Sequence, residues 1–383
     1  DVGVMINPTI VKGQIHGGIA QGVGQVLMEQ VAYDPESGQL LSGSFMDYAM
    51  PRADNFSQIE IASNEVPTKL NPLGVKGAGL AGNPRRRELT NTGETRTMKI
   101  VSYRHKGKTG YGVVAGDGLI DAGPRMGADF PTVRSVLAAD ALGRLAAATA
   151  GQAADIALAD IAFLPPVTDP DMIICVGMNY HSAFAEIGKT FPGKPSLFMR
   201  RASSQVGHLQ ALHKPASSDT YDCEIELAVI IGKPGRAIAA ANAMGHVAGY
   251  SVFNEASVTE WMAHTVQNVT PGKNFEGSGA FGPWLVTADE VGDPTELVLT
   301  HRLNGAVLQQ GPVTDMAFSI PELIAYISTF TTLLPGDVIS SGSPGGIRVR
   351  RKDKVYVQPG DTVEMDITRI GTLTNKVVED SGV

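Results

Sequence analysis

The chain has 383 residues, enough for two or three domains with a sizeable buried core. Hydrophobic residues make up 43% and charged residues 18%, which excludes a disordered or fibrous chain, and 31 basic against 39 acidic side chains leave a net charge of −8. That balance argues against nucleic-acid binding, which needs a basic footprint.

Only two cysteines occur, Cys175 and Cys223, without metal-ligand spacing, so a disulfide framework, a structural zinc and an iron–sulfur cluster are not expected. No apolar run approaches the roughly 20 residues that cross a bilayer, and Asp1-Val2-Gly3-Val4 is no signal peptide. The expectation is a cytoplasmic protein without a membrane partner.

In chain order, Gly13–Gln25 reads as a Gly/Gln-rich turn running into a helix, a place where backbone N–H groups can hold a polar cofactor. Together with Gly43-Ser44-Phe45-Met46-Asp47-Tyr48-Ala49-Met50-Pro51-Arg52 and Asn71-Pro72-Leu73-Gly74-Val75-Lys76-Gly77, it resembles the C-terminal part of the molybdenum hydroxylase large subunit. The resemblance covers residues 1–83 and implies an α+β fragment. Leu80 stands where that family carries its glutamate base and cannot take a proton, so neither molybdopterin nor molybdenum hydroxylation is expected.

Residues 84–97 are charged and aperiodic and read as a linker, after which Met98 opens a second, unrelated piece. Residues 98–122 alternate like short strands with turns at Gly107, Gly110 and Gly116, and the Ala/Leu-rich 132–160 suits one or two helices. Strands are expected at 173–176, 224–231, 247–253, 297–303, 338–341 and 362–367, with helices at 181–189, 256–268 and 320–330. A small lead domain over 98–165 and a larger, mainly β domain over 166–383 follow from this order.

Chemistry concentrates in the larger domain. In Asp222-Cys223-Glu224-Ile225-Glu226-Leu227, strand alternation puts Glu224 and Glu226 on one face. Paired carboxylates repel and resist desolvation unless a hard cation lies between them; otherwise the strand simply has an acidic, half-exposed face. Glu255 ends the next strand, Lys273 could counter an enolate, and the Ser341–Gly346 loop could bind an oxyanion or merely turn the chain.

The order Gly-x-Asn-Tyr, Glu-x-Glu-Leu, Gly-Tyr-x-x-x-Asn-acid, Gly-Lys-x-Phe-acid and Pro-Gly-Asp-x-Ile-Ser-x-Gly-x-Pro resembles the fumarylacetoacetate hydrolase family over residues 98–383. The resemblance implies a mixed β-roll catalytic domain behind a small α+β domain, a homodimer, and a divalent metal (Mg or Mn, with Ca as a further option). It implies metal ligation by Glu224, Glu226 and Glu255, the last standing where the family has aspartate. Catalytic roles fall to Glu186, His181 and Lys273, and substrate binding to Tyr180, Arg200, Gly342 and Ser343. The implied activity is metal-dependent C–C hydrolysis of an acylpyruvate or fumarylpyruvate. The alternatives are an isomerase or decarboxylase of a 2-hydroxy-dienoate, or a non-catalytic member. A molybdenum-enzyme fragment beside a ring-fission family points by adjacency to aromatic-compound catabolism.

The sequence departs from the family pattern at several places. Hydrolytic relatives carry a His and a Glu three residues apart on one helix face, but here Ala183 takes the histidine position while Glu186 is kept. His181 lies five residues from Glu186, about 140° around a regular helix. Thr259 and Met262 replace a usual Arg and Gln, leaving Arg200 or Arg201 to supply charge for a second carboxylate.

Overall fold

The computed structural model describes residues 8–23, 98–188, 190–266, 268–346, 356–380 and 382. The chain divides into two compact units, Asp1–Thr95 and Arg96–Val383. In the first unit one helix, Pro8–Val23, is described. It takes Gly13 and Gly17 into its interior, so the expected turn before a helix is itself helical. The motifs at 43–52 and 71–77, Leu80 and the 84–97 linker lie outside the described residues.

The second unit opens with strands β1 (Lys99–His105), β2 (Lys108–Ala115) and β3 (Gly118–Asp121). Gly107 and Gly116 take positive φ at the turns, whereas Gly110 sits inside β2 opposite Tyr103. A Cβ at Gly110 would meet the Tyr103 hydroxyl at 2.9 Å, so close packing and not a turn selects glycine there. Two helices, Val133–Ala138 and Leu142–Thr149, follow, then β4 (Ile156–Ala157) and β5 (Ala162–Leu164).

Next come β6 (Ile173–Val176), β7 (Leu197–Arg200), β8 (Gln205–Val206), β9 (Leu212–Lys214), β10 (Tyr221–Asp222) and β11 (Ile225–Ile231). After them run β12 (Val247–Asn254), β13 (Ser257–Val258), β14 (Gly279–Thr287), β15 (Val298–Leu303) and β16 (Ala306–Pro312). The last are β17 (Val338–Ser340), β18 (Thr362–Ile367) and β19 (Gly371–Glu379).

One large mixed sheet runs β4-β3-β2-β1-β14-β12-β11-β17-β6-β7, and a smaller one runs β16-β15-β18-β19-β9. The strands of the lead segment therefore continue the catalytic sheet through the antiparallel β1–β14 pair, Lys99 opposite Val286 and Ile100 opposite Leu285. Alternation along β11 feeds two cores. Ile225, Leu227, Val229 and Ile231 pack with the Ile320–Phe330 helix and the smaller sheet. Ala228 and Ile230 pack with Val136, Leu137 and Leu145 of the two lead helices. At about 25 cal/mol per Å² of apolar area, these two layers are the main source of stability.

Most expected strands form within a residue of their predicted bounds, and the 320–330 helix forms in full. Two helices are shorter than expected. The one at 181 ends at Glu186, because Gly188 takes φ 61 and its N–H closes on the Ala185 carbonyl. The 256–268 segment instead gives Ser257–Val258 to a ladder with Tyr221–Asp222 and keeps a single turn, Thr259–Met262. A distant pairing overrode local preference there. Among the described residues no helix is long and apolar enough to cross a membrane.

The two sheets meet at His208, whose Nδ1 accepts the Thr374 N–H (3.1 Å) while its ring stands edge-on to Phe163 at 4.9 Å. Burial pulls the imidazole pKa down to about 4. The unfolded chain would take up this proton first, near pH 6.5, so stability should fall as pH drops from about 6.5 to about 4 and level off below. The contribution is on the order of 2 kcal/mol after solvent screening. Urea midpoints at pH 7.5 and pH 5, compared with those of His208→Asn, check this. The variant should lose less stability on acidification, and an equal loss in both proteins contradicts a neutral buried His208.

Candidate active site

The acidic cluster is assembled by five segments. Glu224 and Glu226 bracket the start of β11, and Glu255 follows the end of β12. The two strands meet there, since the Glu255 N–H donates to the Glu224 carbonyl at 2.9 Å. Arg200 closes β7, Lys273 ends the short helix Thr270–Lys273, and the Ser341–Gly346 loop leaves β17.

All three carboxylates are buried, Glu255 at 1% exposure and Glu226 at 2%. Glu226 Oε2 accepts from Ser340 Oγ (2.6 Å) and from the Gly342 N–H (2.8 Å). Glu224 accepts from Ser257 Oγ at Oε1 (3.0 Å) and from Ser343 Oγ at Oε2 (2.8 Å). Glu255 Oε1 meets Arg200 Nη1 at 2.6 Å and Lys273 Nζ at 3.3 Å. Lys273 also donates to Ser257 Oγ at 2.6 Å.

Gly342 is required by its position. It takes φ 92, and a Cβ there would meet the Asn179 Cβ at 2.6 Å. The motif asparagine explains itself the same way: Asn179 donates to the Phe318 and Ser341 carbonyls and accepts the Phe318 N–H, pinning the loop.

Charge follows from these neighbours. Burial, then the Glu255 charge, pushes the Glu226 carboxyl well above the usual range, against the pull of the Ser340 hydrogen bond. Burial also works against an ionised Glu255, yet Arg200 and Lys273 outweigh it and hold that carboxyl below its ordinary value. For Lys273 burial opposes the charge, but Glu255 and Glu224 prevail and raise the ammonium's pKa. Burial, with Glu255 and Glu226 nearby, pushes the Cys175 thiol well up; both cysteines are free and buried.

The donor set consists of hard carboxylate oxygens, and Glu255 Oε2 is buried without a hydrogen-bond partner. Such an oxygen is costly to leave unpaired, and its chemistry suits a hard divalent cation. The three acids do not yet close around one point: among the described residues, no three acidic, histidine or cysteine side chains are gathered tightly enough to hold an ion as they stand. Ser257, Ser340, Ser343 and Arg200 hold the carboxylates in their present orientations.

A cavity of about 220 Å³ opens on Glu224, Glu226, Glu255, Lys273 and Ser343. Larger hollows bring no such group of acids together: one of about 480 Å³ on the lead segment, one of about 390 Å³ between that segment and Ala202, Ser203 and Gln205, and one of about 760 Å³ that shares Leu197, Phe198 and Val269 with the acidic cavity.

Of the residues singled out from sequence, Glu224, Glu226, Glu255, Lys273 and Ser343 thus converge on one cavity. Gly342 and Arg200 stand directly behind them, holding Glu226 and Glu255. The Ser341–Gly346 loop, read from sequence as an oxyanion site or a simple turn, directs the Gly342 N–H and the Ser343 hydroxyl onto the glutamates. His181, Glu186 and Tyr180 do not line the cavity. His181 is exposed, its ring 5.9 Å from Phe191. Glu186 accepts the Gly346 N–H at 2.5 Å, and Tyr180 is fully buried in the core. Sequence reasoning missed Ser257, Ser340 and Gln309. Gln309 accepts the Ile225 N–H and donates to the Pro344 carbonyl, tying the glutamate strand to the loop. Only the polar Gln309-Gln310 step inside a strand hinted at it.

The comparisons with known proteins agree with this architecture. The fumarylacetoacetate (FAA) hydrolase C-terminal family model matches residues 172–378, and a molybdopterin cofactor-binding domain model matches residues 1–57. The mitochondrial oxaloacetate tautomerase FAHD2A of Homo sapiens is 42% identical over 232 residues, spanning 60% of this chain and 74% of the relative. A solved fumarylacetoacetate hydrolase from Exiguobacterium antarcticum has TM-score 0.64 at 30% identity, covering 74% of this chain and all of its own. The maleylpyruvate hydrolase of Sphingobium sp. SYK-6, solved with manganese(II) and pyruvate, has TM-score 0.62 at 28% identity, with 74% and 100% coverage. The fold is what the solved proteins share with this chain. The chain belongs to the fumarylacetoacetate hydrolase family.

Proposed function

We propose that this chain catalyses keto–enol tautomerisation or isomerisation of an enolisable 2-oxo acid, assisted by a divalent cation held by Glu224, Glu226 and Glu255. One observation carries the reading: three carboxylates and Lys273 converge on one cavity, while His181 and Glu186, the pair that would activate water, lie off it. Fold alone does not choose a reaction, so the site must.

When bound, a divalent cation supplies Lewis acidity toward neighbouring oxo and carboxylate oxygens. The manganese and pyruvate in the Sphingobium relative support Mn or Mg in that role here. The chain's own residues do the rest. Arg200 fixes Glu255 through Oε1, leaving Oε2 without an N–H or O–H donor. Ser340 and Gly342 orient Glu226, and Ser257 and Ser343 orient Glu224. Lys273 brings the positive charge that an enolate needs. Tautomerisation breaks a C3–H bond and forms an O–H bond on the oxo oxygen, or the reverse, and consumes no water.

Hydrolytic C–C cleavage of an acylpyruvate asks in addition for a base on water, and Ala183, at the position where hydrolytic relatives carry histidine, is buried in the core. The test is acetylpyruvate in D₂O with the full chain and Mn²⁺ or Mg²⁺, followed by NMR and a coupled pyruvate assay. Metal-dependent deuterium exchange at C3 faster than in the enzyme-free control, with an intact carbon skeleton and the excess rate abolished by EDTA, is expected. Pyruvate release matching substrate loss would establish the hydrolase instead.

A further inference from the structure

We infer that Gln309 is a positioning residue for the cation site and that His301 braces it, so the smaller sheet governs the grip of a site it does not line. The inference rests on the reading of Glu224, Glu226 and Glu255 as cation ligands and adds two residues that act through them. Gln309 on β16 and His301 on β15 are cross-strand partners, both fully buried, and neither lines the acidic cavity.

The Gln309 amide can face only one way. The Ile225 N–H, which lies between the two strand glutamates, can only donate, and it reaches Oε1 at 3.1 Å. The Pro344 carbonyl can only accept, and it takes a hydrogen from Nε2 at 2.9 Å. Oε1 is therefore an acceptor for His301 Nδ1 as well, at 3.2 Å, which places a proton on that ring nitrogen.

One side chain thus joins the backbone between Glu224 and Glu226 to the residue that follows Ser343. The loop is seated closely on β16 here, since a Cβ at Gly311 would meet the Pro344 Cβ at 2.8 Å. Ser340, Gly342 and Ser343 also tie the loop to the strand, but through carboxylate oxygens that a cation would take for itself. Gln309 makes its tie without using them. Groups that orient ligands from behind in this way commonly carry 10–100-fold in metal affinity.

Three measurements on the full chain test this: Mn²⁺ affinity by calorimetry, amide hydrogen exchange by mass spectrometry, and the urea midpoint. Gln309→Met should weaken Mn²⁺ binding at least tenfold and speed exchange in the segments that hold Ile225 and Gly342. If that variant folds poorly, His301→Leu should do the same at least threefold. His301→Asn, which sets an N–H donor near the place of Nδ1, should restore the wild-type values. Leu299→Ala, a core truncation on β15, should lower the urea midpoint while Mn²⁺ affinity stays within twofold.

Affinity and exchange unmoved in Gln309→Met, or moved as far by Leu299→Ala, overturn the inference. A wild-type chain that binds no Mn²⁺ sinks the cation reading instead. The exchange at Ile225 and Gly342 then decides by itself whether Gln309 holds strand and loop together.

Discussion

Glu226→Gln should lower kcat/KM of the metal-dependent reaction by about 10²–10³-fold while leaving the fold intact or slightly firmer. A thousandfold loss corresponds to about 4 kcal/mol of transition-state stabilisation. The glutamine keeps an oxygen for the Gly342 N–H and the Ser340 hydroxyl, which Glu226 now receives at 2.8 and 2.6 Å. It removes the charge that burial and Glu255 both disfavour. The gain in stability should be about 1 kcal/mol, the size of a typical buried polar adjustment. Kinetics and urea denaturation on one preparation decide the matter. Loss of activity together with loss of fold would mean that Glu226 is a structural residue and nothing more.

Arg200→Met is expected to have the largest effect on stability, about 3–5 kcal/mol, because among the described residues it strands Glu255 in the interior with Lys273 as its only counter-charge. The Ala256 carbonyl, Ser204 and Ser278 lose a donor at the same time. Arg200→Lys keeps the charge but not the planar fork, so an intermediate loss of about 1–3 kcal/mol should follow. Arg200→Met combined with Glu255→Met should recover much of the stability and none of the activity. The urea midpoints of these variants form a double-mutant cycle, and a coupling energy near zero would show that the pair is not an energetic unit.

How far the sequence reaches can be judged residue by residue. Glu224, Glu226 and Glu255 were legible because strand alternation and strand ends place side chains by simple period, and the chain keeps that period. The contacts that make them a site were not. Arg200, offered by the sequence as a substrate binder, comes from β7 and holds Glu255, while Ser340 from β17 and Gln309 from β16 are brought in by sheet order that no local pattern encodes. Glu186 shows the limit most clearly. Its helix face could be computed from the sequence, but the Gly346 amide it holds lies 160 residues away. The helix expected over 256–268 failed for the same reason, since Ser257 and Val258 answer to Tyr221 and Asp222.

The β1–β14 junction carries a consequence for how this protein could be divided. The family model begins at residue 172, yet β14, which lies inside that span, finds its outer neighbour at Lys99 and Ile100. Cutting the chain where the homology starts would strip that neighbour away. It would leave the edge of β14 open at Leu285 and Val286, while β8 still covers Gly279 and Ala280 at the other end. A fragment of that kind offers itself to a second copy as a template for edge-to-edge assembly. The lead segment thus caps one end of the sheet's open strand, and the span that the family model matches is smaller than the sheet it belongs to.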